Sequence, residues 1–213
     1  VFLIGCDPTV LALRMSVELG SDRLDSPLGR KEKMSIAFSN PMRESLVGQV
    51  RVIAPRSWRV TPPKKSWRLL GGQDANVEFD VVLSNTADIG EYEVEIQFAL
   101  ETNPPELVSV YRKVRVGPVG IDMGIETRLL PNGKLRAELV ITNKTLKTRR
   151  YDCFFFPPVG AFEQQQVAVP AGKEVRQGLN FSNGADMMGK RFRVRAVEQK
   201  SECVMNYEVT ITR

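Results

Sequence analysis

A stretch of strict alternation at residues 91–98 constrains the fold more than any other feature of this sequence. Polar side chains occupy the odd positions and apolar side chains the even ones, in the order Glu91, Tyr92, Glu93, Val94, Glu95, Ile96, Gln97 and Phe98. Successive side chains of a β-strand point to opposite faces, so this pattern predicts a strand with one face buried and one face in water.

The residues just before this strand indicate the kind of sheet that contains it. Asp88 and Gly90 supply a turn, and Tyr92 follows the glycine by two residues. In immunoglobulin-like sandwiches a tyrosine at this place, called the tyrosine corner, opens strand F. We therefore interpret Asp88, Gly90 and Tyr92 as structural residues, and the alternating stretch as strand F of a β-sandwich.

Apolar alternation between clusters of Gly, Pro, Asn and Asp predicts about seven strands in each half of the chain and no long helix. In the first half the predicted strands are residues 10–19, 32–39, 46–54, 66–70, 76–84, 91–99 and 107–116. In the second half they are residues 121–130, 134–142, 149–156, 162–169, 173–181, 191–198 and 204–212.

Short motifs recur between the two halves at an offset of about 100 residues. Residues 84–90, Ser-Asn-Thr-Ala-Asp-Ile-Gly, return one residue longer at 182–189 as Ser-Asn-Gly-Ala-Asp-Met-Met-Gly. Asn40 and Asn143 both end an apolar strand, and Gly72 and Gly172 both precede one. We therefore predict an all-β protein of two tandem immunoglobulin-like antiparallel β-sandwiches, residues 1–118 and 119–213, joined at Gly117 and Pro118.

The composition argues against an enzyme and against a cofactor. The chain contains no histidine, which excludes histidine general bases, catalytic triads with histidine and histidine-containing zinc sites. Cys6, Cys153 and Cys203 form no C-x-x-C pair, and we predict no disulfide between them. Without a nucleophile, base and orienting group in one set, we expect no catalytic residue, no cofactor and no metal.

The order of motifs from residue 34 to residue 98 resembles a known family. The motifs are an apolar strand ending in asparagine (36–40), a Gly-x-Val strand ending in proline (48–55), Trp-x-Val-x-Pro (58–62), a glycine-led strand (72–83) and Gly-x-Tyr (90–92). This order resembles the bacterial immunoglobulin-like module that accompanies carbohydrate-binding modules in secreted glycosidases. The resemblance implies a non-catalytic accessory or spacer role outside the cytoplasm. Asn40 and Pro41 before an apolar strand are also similar to the C-terminal barrels of transglutaminases.

Exposed aromatic side chains are candidates for binding a polysaccharide, because sugar rings stack on flat aromatic faces. Trp58, Trp67 and Tyr111 are the candidate ligand-binding residues. A tryptophan in a Trp-x-Val strand is more often packed in a sandwich core, and we favour that interpretation for Trp58. Trp67 lies in a basic segment flanked by prolines, so we expect it to be the more exposed tryptophan.

The net positive charge of the chain comes entirely from its second half. Residues 1–118 carry 15 basic and 15 acidic side chains, whereas residues 119–213 carry 15 and 10. Arg191, Arg193 and Arg195 lie on one face of a predicted strand and form a candidate anion-binding patch. The favoured alternative is pairing across strands with Glu208. No nucleic-acid motif accompanies the arginines, so we expect no nucleic-acid partner.

We expect the protein to contact a membrane only if a lipid is attached to it. Residues 3–6, Leu-Ile-Gly-Cys, are similar to the end of a bacterial lipoprotein signal, which makes Cys6 a candidate lipid anchor. The favoured alternative is an apolar strand that enters the first sandwich. No apolar segment approaches the roughly 20 residues that cross a bilayer.

The sequence favours a structural or accessory module of a bacterial surface or secreted protein, which acts as a spacer or as a protein-interaction unit. Its partner would be another protein or the rest of a longer polypeptide. Two alternatives stay open. One is a carbohydrate-binding module that uses exposed aromatic residues. The other is an adhesion or assembly module that adds a partner strand to an exposed sheet edge, and a long uncharged edge strand would favour it.

Overall fold

The computed structural model describes residues 8–25 and 29–212, which form sixteen β-strands and two short helices. The contacts between Cα atoms divide the chain into two compact units. Unit 1 contains the described residues up to Leu24 together with Gly29–Ser84 and Glu91–Arg115. Unit 2 contains Asp25, Asn85–Gly90 and the chain from Val116 onward.

Unit 1 begins with a helix and continues with nine strands. These elements are α1 (Pro8–Ser16), β1 (Glu18–Leu19), β2 (Arg23–Leu24), β3 (Lys31–Ser39), β4 (Leu46–Ile53), β5 (Trp58–Thr61), β6 (Lys65–Leu69), β7 (Asp74–Leu83), β8 (Gly90–Leu100) and β9 (Glu106–Val116). They form two sheets with the strand orders β1-β3-β7-β5 and β2-β9-β8-β4-β6. The alternating stretch at 91–98 is β8, with β9 on one side and β4 on the other, the neighbours of strand F in an immunoglobulin-like sandwich.

Unit 2 contains the remaining elements. They are β10 (Ile121–Leu129), β11 (Leu135–Asn143), β12 (Arg149–Phe156), β13 (Glu163–Val169), β14 (Lys173–Phe181), α2 (Gly184–Met187), β15 (Arg191–Glu198) and β16 (Val204–Thr210). The two sheets have the orders β10-β11-β14 and β13-β12-β15-β16, again the order of an immunoglobulin-like sandwich. All the strand pairs with a recorded register are antiparallel, so the protein is an all-β protein with two antiparallel sandwiches.

Each unit has its own apolar core, formed by the alternate residues of its strands that point inward. In unit 1, Ile36, Phe79, Val94, Ile96 and Phe98 have no exposed surface. The largest fully buried side chains of the second core come from β11, β12, β15 and α2, and they are Leu135, Leu139, Ile141, Tyr151, Phe155, Phe192 and Met187. Phe192 packs edge to face on Phe181, with the ring centroids 5.3 Å apart, so this phenylalanine points inward.

Two buried asparagines make the same set of hydrogen bonds in the two units. The side-chain Nδ2 of Asn40 donates to the backbone oxygens of Glu44, Leu69 and Leu70, and its Oδ1 accepts from the N–H of Met42. The side chain of Asn143 repeats this pattern with partners at Lys147, Val169, Pro170 and Thr145. Each amide therefore ties the end of one strand to the loop that follows it and to the end of a strand of the other sheet.

The predicted strand at residues 10–19 is wrong, because residues 8–16 form α1. Pro8 is favoured in the first turn of a helix, and the segment Leu11-Ala12-Leu13-Arg14-Met15 consists of good helix formers. The helix ends at Ser16, whose hydroxyl donates to the oxygen of Leu13 and accepts from the N–H of Ser39. The strand β5 is missing from the predicted strands of the first half, although its Trp-x-Val motif was recognised.

The predicted division at Gly117 and Pro118 stays a prediction. Cys6 and the lipoprotein-like residues 3–6 lie outside the described residues. None of the described helices is long and apolar enough to cross a membrane.

Candidate functional site

The aromatic residues predicted to bind sugar differ in exposure. Trp58 is buried and packs edge to face on Tyr92 at 5.5 Å, so its core position is confirmed. Trp67 is also buried, with 8% of its surface exposed, and the expectation that it is exposed is wrong. Tyr111 on β9 is 55% exposed. The three residues therefore do not present a common aromatic surface to solvent.

A glycine explains why Trp67 is buried. Gly48 on β4 is the cross-strand partner of Trp67 on β6. A Cβ atom at position 48 would lie 3.1 Å from the Trp67 ring and 2.5 Å from the backbone oxygen of Ala99. The missing side chain thus leaves the space that the indole occupies. There the indole packs on the rings of Phe38 and Phe98, with centroid distances of 5.1 Å and 6.2 Å. The flanking prolines and lysines of the segment gave no sign of this space.

The three residues interpreted as structural lie at the start of β8. Gly90 has a φ of 141°, which favours glycine, and β8 begins at this residue. The Tyr92 ring packs on Trp58, as a core anchor would. Asp88 lies in the segment Asn85–Gly90 of unit 2, and burial raises the pKa of its carboxyl group, while the nearby Arg193 acts in the opposite direction. The hydroxyl hydrogen bond of a tyrosine corner stays a prediction.

Two of the three arginines of β15, Arg191 and Arg193, pair with an acidic side chain of β16, as the favoured alternative predicts. Arg191 Nη1 lies 3.0 Å from Glu208 Oε1, and Arg193 Nη2 lies 3.1 Å from Glu208 Oε2. On β9 of unit 1, Lys113 Nζ lies 2.6 Å from Glu91 Oε1. The role of the arginine patch in binding an anion stays a prediction.

The strand β9 has an open edge, and this is the candidate functional site. Its sheet has the order β2-β9-β8-β4-β6, so β8 covers one side of β9 and β2 the other. β2 has two residues, whereas β9 has eleven. In the part of the chain that the structure describes, no other strand of this sheet lies on that side. We call the uncovered side of residues 106–113 the β9 edge.

One hydrogen bond fixes the direction of the backbone groups along the β9 edge. The N–H of Arg115 donates to the oxygen of Asp22, next to β2, over 2.7 Å. Backbone N–H and C=O groups of a strand alternate in direction from one residue to the next, so residues of the same parity as Arg115 point their groups the same way. Leu107, Ser109, Tyr111 and Lys113 thus direct their backbone groups to the open side.

The side chains of the β9 edge suit pairing with another strand. Residues 107–111, Leu-Val-Ser-Val-Tyr, are uncharged and favour β-structure. Val108 and Val110 are buried in the core, whereas Leu107 and Tyr111 are 62% and 55% exposed on the outer face. The basic residues of β9, Arg112, Lys113 and Arg115, stand at the other end, where β2 begins to cover the strand.

A hydrogen-bonded network on the outer face holds the middle of this edge in place. The Ser109 hydroxyl donates to Glu95 Oε1 over 2.6 Å, and Gln97 Nε2 donates to the same oxygen over 3.1 Å. The Oε1 of Gln97 accepts from Arg51 Nε at 2.7 Å. The chain of contacts crosses β9, β8 and β4, so the outer face next to the β9 edge is an ordered polar surface.

The other edge strands of unit 1 carry features that discourage pairing. β1 has two residues and β5 has four, and β5 is followed directly by Pro62 and Pro63. β6 carries Lys65 and Arg68. Short length, proline and charge are the usual means by which natural sheets protect their edges. The β9 edge has none of these features over residues 107–111.

The described residues contain no group of three or more Cys, Asp or Glu side chains that could hold a metal ion. Cys153 and Cys203 are both free thiols. Burial raises the pKa of the Cys153 thiol to about 12 and that of the Cys203 thiol to about 11. Both groups are therefore protonated at neutral pH, which makes them poor nucleophiles.

The sequence analysis missed two features of these surfaces. Leu107 and Ser109 were placed in a strand but not at an edge, and the signal that could have found them is the uncharged run that ends at Tyr111. Asn206 was not considered either, although it is an asparagine in an otherwise apolar strand, Val-Met-Asn-Tyr. Its side chain is buried and donates to the backbone oxygens of Asn85 and Ala87.

No family model matches the chain, and no curated protein matches it. Among solved structures it is similar to the E. coli chaperone DraB, with 16% identity over 92% of this chain and 98% of that one and a TM-score of 0.32. The periplasmic chaperone SfaE has 14% identity over 92% and 100% of the two chains and a TM-score of 0.33. A red sea bream transglutaminase has 10% identity and a TM-score of 0.34, and the match covers 93% of this chain but 31% of the enzyme. Similarities this low carry no argument about function, and the fold assignment rests on the strand orders above.

Proposed function

We propose that this chain is a non-catalytic protein-interaction module that recruits an extended segment of a partner protein as an additional strand on the β9 edge. The observation that supports this proposal is the combination of length, position and composition in β9. The strand has eleven residues, stands beside a strand of two, and is uncharged over residues 107–111. A long uncharged edge of this kind is a template for pairing with another chain.

The geometry gives the added strand both affinity and register. Leu107, Ser109, Tyr111 and Lys113 direct their backbone N–H and C=O groups to the open side, so the partner can form main-chain hydrogen bonds along the whole edge. On the outer face, the partner's side chains would lie beside Leu107, Ser109 and Tyr111. We therefore expect a partner segment with apolar side chains at alternate positions, because cross-strand apolar and aromatic pairs stabilise a sheet.

The location outside the cytoplasm and the role as a spacer remain proposals that agree with this function. The alternative of a carbohydrate-binding module has less support. Two of its three aromatic residues, Trp58 and Trp67, are buried in the core of unit 1, so of these three Tyr111 alone is exposed enough to stack on a sugar ring.

The test begins with a displayed library of random nine-residue peptides selected against the intact chain. We expect the selected peptides to alternate apolar and other residues. Binding of a synthetic copy should slow the amide exchange of Leu107, Ser109 and Tyr111 in the ¹⁵N-labelled protein. A substitution of Leu107→Lys, which places a charge on the edge, should weaken the peptide by at least about tenfold.

The matched control is Leu146→Lys, which places the same charge on a fully exposed leucine outside the strands. Its affinity for the peptide should equal that of the parent chain. Two results would contradict the proposal: peptides that bind without protecting these three amides, or an equal loss of affinity in both lysine variants.

A further inference from the structure

A cavity of about 400 Å³ lies on the outer face of the sheet that contains β15 and β16, within unit 2. Arg193 and Arg195 of β15 line it together with Asn206 and Glu208 of β16. The ring of Phe156 on β12 and the residues Asn85 and Thr86 complete the lining. We call it the arginine cavity.

The register of the strands sets two rows of side chains in this cavity. Arg193 is opposite Glu208 and Arg195 is opposite Asn206, and both rows lie on the same face because residues two apart share a face. In the first row Arg193 already faces a carboxylate, because Glu208 accepts from Arg193 Nη2 and also from Arg191 Nη1. This row shows how a carboxylate is held between two arginines of this strand.

The second row has a cation but no anion. Arg195 makes no hydrogen bond or ion pair with any described residue, and its neighbours across the strands are Asn206 and Phe154. Both donors of the Asn206 amide group are engaged by the backbone oxygens of Asn85 and Ala87. In the first row, Arg193 Nε is buried and has no acceptor among the described residues. The cavity thus contains guanidinium donors that lack acceptors.

We propose that the arginine cavity binds an oxyanion, either a carboxylate or a phosphate, which accepts hydrogen bonds from Arg195 and Arg193 as Glu208 does from Arg193 and Arg191. Arginine is suited to this role because its planar group presents paired donors that match the two oxygens of such an anion. The volume is at the low end of the range for small-molecule sites, which fits a small ligand or one acidic group of a larger one.

The Phe156 ring gives this site a means of selection. It forms part of the cavity wall and is 38% exposed, and it contacts Phe162 at a ring distance of 5.9 Å. A ligand with a flat apolar body can pack on this ring while its acidic group reaches the arginines. A bare inorganic anion gains nothing from the ring, so the two kinds of ligand are distinguished by their dependence on Phe156.

The site is tested with the intact ¹⁵N-labelled chain and two probes, sodium phosphate and sodium benzoate. Each probe is titrated at constant ionic strength, with chloride as the replaced anion, so that non-specific attraction stays constant. We expect the Nε–H signals of Arg193 and Arg195 to shift and to saturate. Arg195→Gln should weaken the better probe by at least about tenfold, because a charge-assisted pair of hydrogen bonds is lost.

The control is Arg150→Gln, which removes the same charge from an exposed position on the same face of β12, outside the cavity lining. Its affinity for both probes should remain that of the parent chain. A second variant, Arg195→Lys, keeps the positive charge but loses the paired donors. It provides an independent test if the glutamine variant fails to fold. It should bind the better probe several-fold more weakly than the parent chain.

The two probes identify the class of ligand. If benzoate binds more tightly and loses this advantage in Phe156→Ala, the site takes a carboxylate on an apolar body. If phosphate binds more tightly and is indifferent to Phe156→Ala, the site takes a phosphate. The proposal is overturned if neither probe gives saturable shifts, or if Arg150→Gln weakens binding as much as Arg195→Gln.

Discussion

The two units end in corresponding strands whose edges differ. In unit 2 the segment Asn85–Gly90 lies against β16: the N–H of Ile89 donates to the oxygen of Asn206, and the Asn206 side chain holds the oxygens of Asn85 and Ala87. In unit 1 the last strand, β9, has β8 on one side and, among the described strands, only the two residues of β2 on the other. The difference teaches that this fold leaves its last edge to be covered, either from within the chain or by a partner.

The same two units agree closely where the fold itself is held. Asn143 repeats each side-chain hydrogen bond of Asn40 and accepts one more, from the Thr145 hydroxyl. The edges of the last strands thus differ between the two units, whereas the hydrogen bonds by which the asparagine side chains join the two sheets are shared. We expect substitutions at the shared ties to be costly in both units, and substitutions at the edges to act in one.

The largest effect is expected at the two asparagines. Asn40→Ala and Asn143→Ala each leave several buried backbone oxygens without a donor, which should lower the free energy of unfolding of the affected unit by about 3 kcal/mol. Tryptophan fluorescence reports unit 1, because both tryptophans of the chain lie there, and core amide signals report unit 2.

Asn180→Ala is the control for this pair, since Asn180 is an exposed asparagine on β14 with no side-chain bond among the described residues. It should change the stability by no more than about 0.5 kcal/mol. Should one asparagine prove costly and the other neutral, the equivalence of the two ties would be refuted.

A smaller effect is expected when the covered edge of unit 2 is opened. Asn206→Ala removes the two donors that hold Asn85 and Ala87 and should lower the free energy of unfolding of unit 2 by about 2 kcal/mol. The amide of Ile89 should exchange faster, because the segment that carries it is held less firmly. Unchanged exchange at Ile89 would show that Asn206 does not hold this cover in place.

Tyr92→Phe makes the anchor of unit 1 resemble that of unit 2, where Phe192 points inward. The ring contact with Trp58 remains, and only the hydroxyl is lost. If the hydroxyl makes the hydrogen bond of a tyrosine corner, unit 1 should lose about 1 kcal/mol of stability, measured by urea unfolding. Tyr207→Phe on β16 is the matched change in unit 2 and should be nearly neutral. Equal stability of Tyr92→Phe and the parent chain would remove the tyrosine corner from the account.

The smallest effect concerns pH and Asp88. Burial raises the pKa of this carboxyl group in the folded chain, so folding favours its protonated form. Its contribution is present below the ordinary pKa of aspartate and is lost as the pH rises through the raised value. Asp88→Asn should therefore gain stability relative to the parent chain over the pH interval from the ordinary pKa of aspartate up to the raised pKa, by a modest amount because the group is only half buried. A relative loss over this interval would mean that the attraction of Arg193 outweighs burial.

Most strands of this fold could be predicted from the sequence because apolar inward positions alternate with polar outward ones along them. The prediction failed at α1, where helix formers are spaced in a way that also permits alternation, and at Trp67, whose burial depends on Gly48 of another strand. Edges could not be predicted, because Leu107 and Asn206 acquire their roles from which strands lie beside them. Pairing of Arg191 and Arg193 with Glu208 could be predicted, since oppositely charged residues stood on strands expected to be neighbours.

Amide hydrogen exchange in the free chain tests the central claim, that the β9 edge is open while the edge of unit 2 is covered. The account predicts alternation along β9. The amides of Leu107, Ser109 and Tyr111 should exchange at rates near those of an unfolded chain, those of Val108 and Val110 should be protected, and that of Ile89 should be protected in unit 2. Protection of all five β9 amides would mean that the edge is already covered in the free chain, and the proposed recruitment of a partner strand would fail.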